Sequence, residues 1–272
     1  MNKRIVWIAL SAIMFISAGV LIYYFFWANG YINPPDTSPT TEFSEFTYPT
    51  LQSDEQITPS QVEYEIQKIN EGRGGSEFKE IVNFEELQKT NSDIIGWMYM
   101  TSPYINQPIL RNAKNDSFYL SHNAAKKYDR AGALYVEHQY NGTDFEDNCT
   151  IIYGHRMSNG AMFGNLQASM KKLKIASEPQ YIVIYTPKKV KVYQICATLP
   201  HDKTHIMYYN NFSKESGYKK FIDQVYSAKG SEVQLNKDIK PKYGDKLLIL
   251  STCLRGNRSK RFLVIAKLTN EY

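Results

Sequence analysis

Cysteine is scarce in this 272-residue chain, which contains only three, and an odd number cannot all pair. A secreted fold held together by disulfide bonds is therefore not expected. Cys149 and Cys196 lie within apolar runs and are predicted to be buried, unreactive thiols. Cys253 differs from them because it stands at the end of a predicted strand.

The sequence also lacks the motifs of several functional classes. It has no internal repeat, phosphate-binding glycine loop, zinc-spaced Cys/His pattern or nucleic-acid-binding motif, and no clustered acidic metal site. We therefore predict no nucleic-acid partner, no metal and no cofactor.

Basic residues are missing from positions 28–67, which contain seven acidic residues and no Lys or Arg. Because the whole chain has a formal charge of +5 and the first 27 residues contribute two positive charges, residues 68–272 carry +10. A basic domain attracts anionic surfaces such as nucleic acid, lipid head groups or wall polymers. Lysines that simply solvate the surface explain the charge equally well, so the charge identifies no partner.

An apolar run without charges occupies residues 5–27 and is preceded by Lys3 and Arg4. About 20 apolar residues cross a bilayer as a helix, whereas the apolar part of a cleaved signal peptide has about 7–15. The run therefore predicts an uncleaved signal-anchor helix and a membrane contact through residues 5–27. The positive-inside rule predicts a single-pass protein with residues 1–4 in the cytoplasm and the remainder outside the cell. Residues 28–75 are predicted to form an acidic, Pro/Thr-rich stalk, and residues 76–272 a globular domain.

From residue 83 onward, short runs rich in β-branched and aromatic residues alternate with turns, and a few helical patterns interrupt them. So many short strands predict a mainly β fold, either a barrel or a sandwich. The predicted helices are 84–88, 162–173 and 218–228, and the predicted strands are 94–100, 105–110, 133–137, 150–153, 181–185, 190–197, 246–252 and 261–268.

The last two predicted strands form a hairpin whose loop is residues 254–260. Since paired strands lie about 4.8 Å apart, the hairpin would place Cys253 and Arg261 side by side at one end of the sheet. A nearby cation favours the thiolate of a cysteine, and a guanidinium offers fixed donors to an oxyanion. From these two residues alone, a strand-end cysteine beside a surface arginine is the simpler interpretation.

A thiol nucleophile needs a proton partner, and histidine is the usual one. His155 directly follows an apolar strand and a glycine, and strand ends are where a rigid scaffold presents catalytic groups. The other four histidines lie in polar stretches and are predicted to be solvated loop residues: His122, His138, His201 and His205.

Several motifs in a fixed order resemble those of class B sortases. They are Tyr153-Gly154-His155 with residues 157–166, Leu-Ser-Thr-Cys at 250–253, an Arg that opens the last strand, and the segments 91–97, 119–120 and 132–136. The resemblance covers most of the predicted domain. It implies a closed β-barrel with N-terminal helices and an additional helix in the loop between strands six and seven.

The resemblance also implies an activity and a set of site residues. Class B sortases are thiol transpeptidases of Gram-positive bacteria that cleave a C-terminal sorting signal after Thr, form a thioacyl-enzyme and transfer the surface protein to an amine of a peptidoglycan precursor. Cys253 matches the nucleophile, His155 the catalytic histidine and Arg261 the catalytic arginine of that family. Substrate-binding positions are matched by Ser251, Leu120 and Tyr153. No metal or cofactor is implied.

Some features depart from the family pattern or leave alternatives open. Leu254 and Arg255 stand where some class B members carry an acidic residue, so a Cys-His-Asp triad has no local support. Arg258 is an alternative to Arg261. A non-catalytic wall-binding module on the same fold and another extracytoplasmic cysteine peptidase or L,D-transpeptidase are alternative functions. L,D-transpeptidases place Cys and His close in sequence, whereas 98 positions separate His155 from Cys253 here.

Overall fold

The computed structural model of the chain describes residues 82–272. The predicted segments 1–4, 5–27 and 28–75 lie outside this range, as do the first residues of the predicted domain 76–272. The longest described helix has 13 residues, fewer than the roughly 20 that a membrane-spanning helix needs.

The predicted localisation requires a correction. Within residues 82–272, no helix is both long enough and apolar enough to cross a membrane. The assignment of a single-pass membrane protein with an extracellular domain is therefore not kept. The apolar run 5–27, from which it was predicted, is outside the described residues.

Nine strands and a few short helices make up the described chain. The strands are β1 (Ile94–Thr101), β2 (Tyr104–Leu110), β3 (Leu134–Tyr135), β4 (Cys149–Tyr153), β5 (Tyr181–Tyr185), β6 (Val190–Asp202), β7 (Gln234–Leu235), β8 (Leu247–Leu254) and β9 (Asn257–Glu271). The helices are α1 (Phe84–Thr90), α2 (Leu166–Lys172), α3 (Ile206–Tyr209) and α4 (Glu215–Ser227), with a 3₁₀ turn at Phe118–Leu120.

The strands close into a barrel. Their order is β5-β1-β2-β3-β4-β8-β9-β6, and a pairing between β5 and β6 joins the two ends of this series, while β7 pairs with the second half of β6. Helices α3 and α4 lie in the connection from β6 to β7. The predicted mainly β fold, a closed barrel with a helix between strands six and seven, is confirmed.

The core lies on both faces of the central strands. Along β8, Leu248 and Leu250 belong to one buried cluster, and the alternate residues Leu247 and Ile249 belong to another. Helix α4 supplies buried aromatic and aliphatic side chains to the second cluster. Because both faces are covered, β8 is a continuous apolar run instead of an alternating one.

The hairpin between β8 and β9 is tighter than predicted. Leu254 pairs with Asn257, so Arg255 and Gly256 alone form the turn, with Gly256 at a φ of +80°. The predicted seven-residue loop is therefore wrong. Residues 257–260 are polar but extend β9 because β6 continues to Asp202 and pairs Asp202 with Lys260, so tertiary pairing outweighs composition here.

Candidate active site

A groove of about 330 Å³ lies at the end of the barrel where β4, β6 and β8 end and β9 begins. Its lining includes all six residues for which the motif resemblance implies a role: Cys253, His155, Arg261, Ser251, Leu120 and Tyr153. Cys253 is half-buried, so its thiol is reachable from this groove. Among residues 82–272, no group of three or more His, Cys, Asp or Glu side chains is placed to hold a metal ion.

Strand pairing sets Cys253, Arg261 and His201 in one row across the sheet. Cys253 on β8 is directly opposite Arg261 on β9, and Arg261 is directly opposite His201 on β6. Directly opposite residues of antiparallel strands project from the same face of a sheet. The predicted neighbourhood of Cys253 and Arg261 is thus present, with a histidine on the far side of the arginine.

Among residues 82–272, the guanidinium of Arg261 hydrogen-bonds only backbone groups. Its Nη1 donates to the carbonyl oxygens of Arg258 and Lys260, each at 3.3 Å. Within residues 82–272 it forms no ion pair with a carboxylate. Arg258 is exposed near the hairpin tip and does not line the groove. The structure thus places Arg261, and not Arg258, beside Cys253 in the groove.

His155 is held at the groove by its backbone and by its ring. The backbone N–H of Gly154 donates to the Ser251 carbonyl at 3.2 Å, which continues the parallel pairing of β4 with β8 toward Cys253. The His155 Nε2 lies 2.8 Å from the Leu120 carbonyl. Because a carbonyl can only accept, Nε2 carries a proton. Nδ1 has no hydrogen-bond partner within residues 82–272 and is the nitrogen left for exchange with a ligand.

Gly154 allows the close packing that brings His155 to this position. A Cβ atom at residue 154 would lie 2.6 Å from Leu134 Cδ2 and 2.7 Å from Phe163 Cδ2, so any larger residue would force one of these buried side chains to move. The backbone N–H of Phe163 also donates to the His155 carbonyl at 2.9 Å. The glycine before the histidine is therefore a packing requirement of this strand end.

A separate anchor fixes the Leu120 carbonyl that His155 contacts. The neighbouring Tyr119 hydroxyl donates to Asp93 at 2.7 Å and accepts from Asn91 at 3.0 Å. Gly132, at a φ of +62°, approaches so closely that a Cβ atom would lie 2.3 Å from the Tyr119 carbonyl. Three of the sequence segments that resemble the family, 91–97, 119–120 and 132–136, thus meet in one support behind the groove.

The three cysteines occupy different environments. Burial raises the pKa of Cys149, and burial raises the pKa of Cys196 to about 12. The Cys196 thiol also lies 3.3 Å from the Ile265 carbonyl, to which it donates. The prediction that these two thiols are buried is confirmed, and Cys253 is the remaining thiol with access to solvent.

Arg156 is a further cation near Cys253, and no sequence motif marks it as a site residue. Partial burial lowers the pKa of Arg156, the Cys253 thiolate opposes that shift, and Arg255 with Arg258 reinforce it. Its Nε is buried without a hydrogen-bond partner in the described chain. Cys253 therefore lies within electrostatic range of Arg156 as well as beside Arg261.

The predictions for the other histidines as solvated loop residues are wrong. His201 lies on β6 with a side chain only 9% exposed, and His205 caps α3 and contacts Glu137 at 2.9 Å. His122 stacks on a phenylalanine ring and His138 pairs with an aspartate. Each of these contacts joins residues that are distant in the chain or depends on loop geometry. The polar composition of the local sequence therefore did not indicate it.

The groove lining also includes side chains that were not selected from the sequence, among them Tyr135, Glu137, His201 and His205. Tyr135 and Glu137 fall within the predicted strand 133–137, and β3 brings them to the groove because it pairs with β4 at Tyr153. No local motif marks them.

Known proteins with similar sequence and structure share this arrangement of strands. A family model described as a sortase domain matches residues 104–269. A sortase B of Listeria monocytogenes is 30% identical over 172 residues, an alignment that spans 62% of this chain and 65% of that protein. A sortase B of Staphylococcus aureus is 27% identical over 189 residues, or 68% of this chain and 74% of that protein. The crystal structure of Clostridium perfringens sortase B is similar in fold, with a TM-score of 0.59 and 24% identity over 69% of this chain and 100% of that one.

Proposed function

The chain belongs to the sortase family, and on that basis we propose that it is a cysteine transpeptidase of the class B type. Its substrate is a protein with a C-terminal sorting signal, which it cleaves after Thr, and its acceptor is an amine of a cell-wall precursor. The observation that carries the proposal is the direct pairing of Cys253 with Arg261 in the groove that also contains His155.

The first half of the reaction forms a thioester. The Cys253 thiolate attacks the Thr carbonyl carbon, and a C–S bond forms as the carbonyl oxygen becomes an oxyanion. Arg261 donates hydrogen bonds to that oxyanion, which is possible because no carboxylate of the described chain competes for its guanidinium. The C–N bond then breaks, and protonated His155 gives its proton to the leaving amine.

The second half transfers the acyl group. The acceptor amine attacks the thioester carbon, and neutral His155 takes the proton that this amine loses. Collapse of the second oxyanion breaks the C–S bond and returns the Cys253 thiolate. One amide bond is broken and one is formed, so no oxidant, metal or external energy source is needed.

Three further residues are proposed to bind the peptide. Ser251 precedes Cys253 by two positions on the same strand and therefore projects from the same face. Tyr153 is its parallel neighbour on β4, and Leu120 is 40% exposed at the groove rim, where it offers an apolar contact. Together they extend the groove surface away from the thiol.

A peptide assay tests this function. The full chain is incubated with quenched fluorescent peptides that carry candidate sorting signals, with and without a primary amine, and the products are identified by mass spectrometry. We expect cleavage after Thr, a ligated product only when amine is present, and a loss of about 10³-fold or more in Cys253→Ala and in His155→Ala.

Cys149→Ala is the matched control because it removes a buried thiol from the same protein, and it should retain activity. Full activity of Cys253→Ala would contradict the proposal. Binding of the peptides without any turnover in the unaltered chain would instead indicate the non-catalytic module.

A further inference from the structure

The groove contains a second polar centre, built around Glu137. Its Oε2 accepts a hydrogen bond from the Tyr153 hydroxyl at 3.1 Å and another from His205 Nε2 at 2.9 Å. The Glu137 side chain is only 17% exposed. Glu137 lies in the segment after β3, and its two donors come from β4 and from the cap of α3, so two separate elements hold the carboxylate in place.

Both donors to Glu137 are neutral. The Nδ1 of His205 accepts the backbone N–H of Tyr208 at 3.2 Å and so carries no proton, which makes the ring an uncharged Nε2–H tautomer. Burial, followed by the charge and hydrogen bond of Glu137, raises the pKa of Tyr153, so its hydroxyl keeps its proton. Oε1 accepts no hydrogen bond from residues 82–272.

Glu137 therefore has no Lys or Arg partner among residues 82–272, and its one ionic contact there, His205, is neutral in this tautomer. The charge of Glu137 also affects neighbouring tyrosines. Burial is the largest cause that raises the pKa of Tyr135 and of Tyr140, and the charge of Glu137 is the second largest. A partly buried carboxylate without a counterion is costly unless a cation reaches it. The other carboxylate of the groove, Asp202, differs because its side chain is 62% exposed and it accepts the Thr204 backbone N–H.

Aromatic rings form the wall beside this carboxylate. Tyr135 and Tyr153 stack with ring centroids 5.5 Å apart, and both line the groove. Aromatic faces and a carboxylate with one oxygen available are the combination that binds an ammonium group, which has three donors and a compact charge.

We propose that Glu137, with Tyr135 and Tyr153, is a binding site for a primary ammonium group that enters the Cys253 groove. This inference rests on the proposed transpeptidase function for its two sources of ligand. The ammonium belongs either to a lysine side chain of the sorting signal or to the acceptor amine before it loses its proton. In both cases Glu137 selects the ligand by its positive charge, and Cys253 remains the nucleophile of the reaction.

The first experiment measures binding, which does not depend on turnover. In the full chain with Cys253→Ala, the dissociation constants of labelled peptides are measured by fluorescence anisotropy, with lysine or the uncharged norleucine at each position before Thr. If the lysine side chain is the ligand, one lysine peptide binds about tenfold tighter than its norleucine counterpart, and Glu137→Gln reduces that ratio to below about twofold.

The second experiment examines the acceptor in the chain that keeps Cys253. If the acceptor is the ligand, Glu137→Gln raises the KM for a small primary amine about tenfold, a larger change than it makes in the KM for the peptide during hydrolysis in water. Glu137→Gln suits both experiments because its amide oxygen still accepts from Tyr153 and His205, and thermal melting checks that the fold is kept.

Asp202→Asn is the matched control because it removes one negative charge from the same groove at an exposed position. Asp202→Asn should change neither the lysine-to-norleucine affinity ratio nor the KM for amine by more than about twofold. The inference is overturned if Glu137→Gln changes neither the lysine preference nor the KM for amine, or if Asp202→Asn has the same effect. Failure of the proposed function is recognised separately, as the absence of Cys253-dependent cleavage, and the binding experiment then decides the inference by itself.

Discussion

The two ends of the barrel differ in the partners of their charged side chains, although β6 and β9 reach both ends. At the end where β6 begins and β9 finishes, Lys191 is fully buried and its Nζ lies 2.6 Å from Glu146 and 2.6 Å from Glu271. At the groove end, the hydrogen bonds of the Arg261 side chain on β9 within the described part of the chain go only to backbone carbonyls. One end satisfies its charges internally and stabilises the closure of the barrel, and the other leaves a cation beside a thiol for an incoming ligand.

The paired end is a network and not a single ion pair. Lys246 also bonds Glu146, and Lys189 bonds Glu271. Partial burial would raise the pKa of Glu146, but the hydrogen bonds from Lys191 and Lys246 outweigh it and lower the pKa to about 2. Hydrogen bonds from Lys189 and Lys191 also lower the pKa of Glu271. The network joins β6, β9 and the segments before β4 and β8.

Removal of the unpaired cation should have the largest effect. In Arg261→Ala the oxyanion loses its donors, and we expect kcat/KM for peptide cleavage to fall by about 10³-fold with little change in the free energy of unfolding. Steady-state kinetics and urea denaturation measure the two quantities.

Arg258→Ala is the control for this prediction, since Arg258 lies near the same hairpin tip but is exposed and outside the groove. It should lower kcat/KM by no more than about twofold. Equal losses in the two variants would show that general positive charge, and not the pairing of Arg261 with Cys253, supports the reaction.

Removal of the buried cation at the other end should act on stability alone. Lys191→Met keeps much of the side-chain volume but leaves Glu146 and Glu271 without their shared partner. We expect the free energy of unfolding to fall by about 3 kcal/mol, as for other broken buried pairs. Urea denaturation measures it, and Lys189→Met, whose side chain is 45% exposed, should lose far less. A fall in kcat at temperatures where Lys191→Met remains folded would show that the paired end also contributes to catalysis, which contradicts the comparison.

The barrel and the position of its groove could be predicted because they follow from ordered local motifs. Leu-Ser-Thr-Cys ends one apolar strand, an arginine lies in the next, and Gly154 before His155 marks a tightly packed strand end. Each of these features is visible within a few residues of sequence, and strand pairing then brings them together.

Contacts between distant segments could not be predicted in this way. Glu137 and His205 are 68 positions apart, and nothing in either segment indicates that they meet. The extension of β6 to Asp202 depends on its pairing with the polar start of β9, which local composition assigned to a loop. Burial of Lys191 likewise follows from two carboxylates that other segments supply.

The smallest predicted effect is a pH dependence of stability at the paired end. Glu146 has a pKa of about 2 in the folded chain, below its ordinary value of 4.5. Its contribution to stability is therefore complete above pH 4.5 and is lost as the pH falls toward 2. Because the side chain is 39% exposed, solvent screening reduces the contribution to about 1 kcal/mol.

Urea midpoints measured at several values between pH 6 and pH 2.5 test this window, with Glu146→Gln as the comparison because the amide cannot titrate. The unaltered chain should lose about 1 kcal/mol more than Glu146→Gln across that range. Lys191→Met should show a similarly reduced dependence, since it removes a hydrogen bond that lowers the pKa of Glu146. Parallel curves for all three proteins would mean that Lys191 and Glu146 are not energetically coupled, and that the two ends of the barrel differ in geometry but not in how their charges contribute to stability.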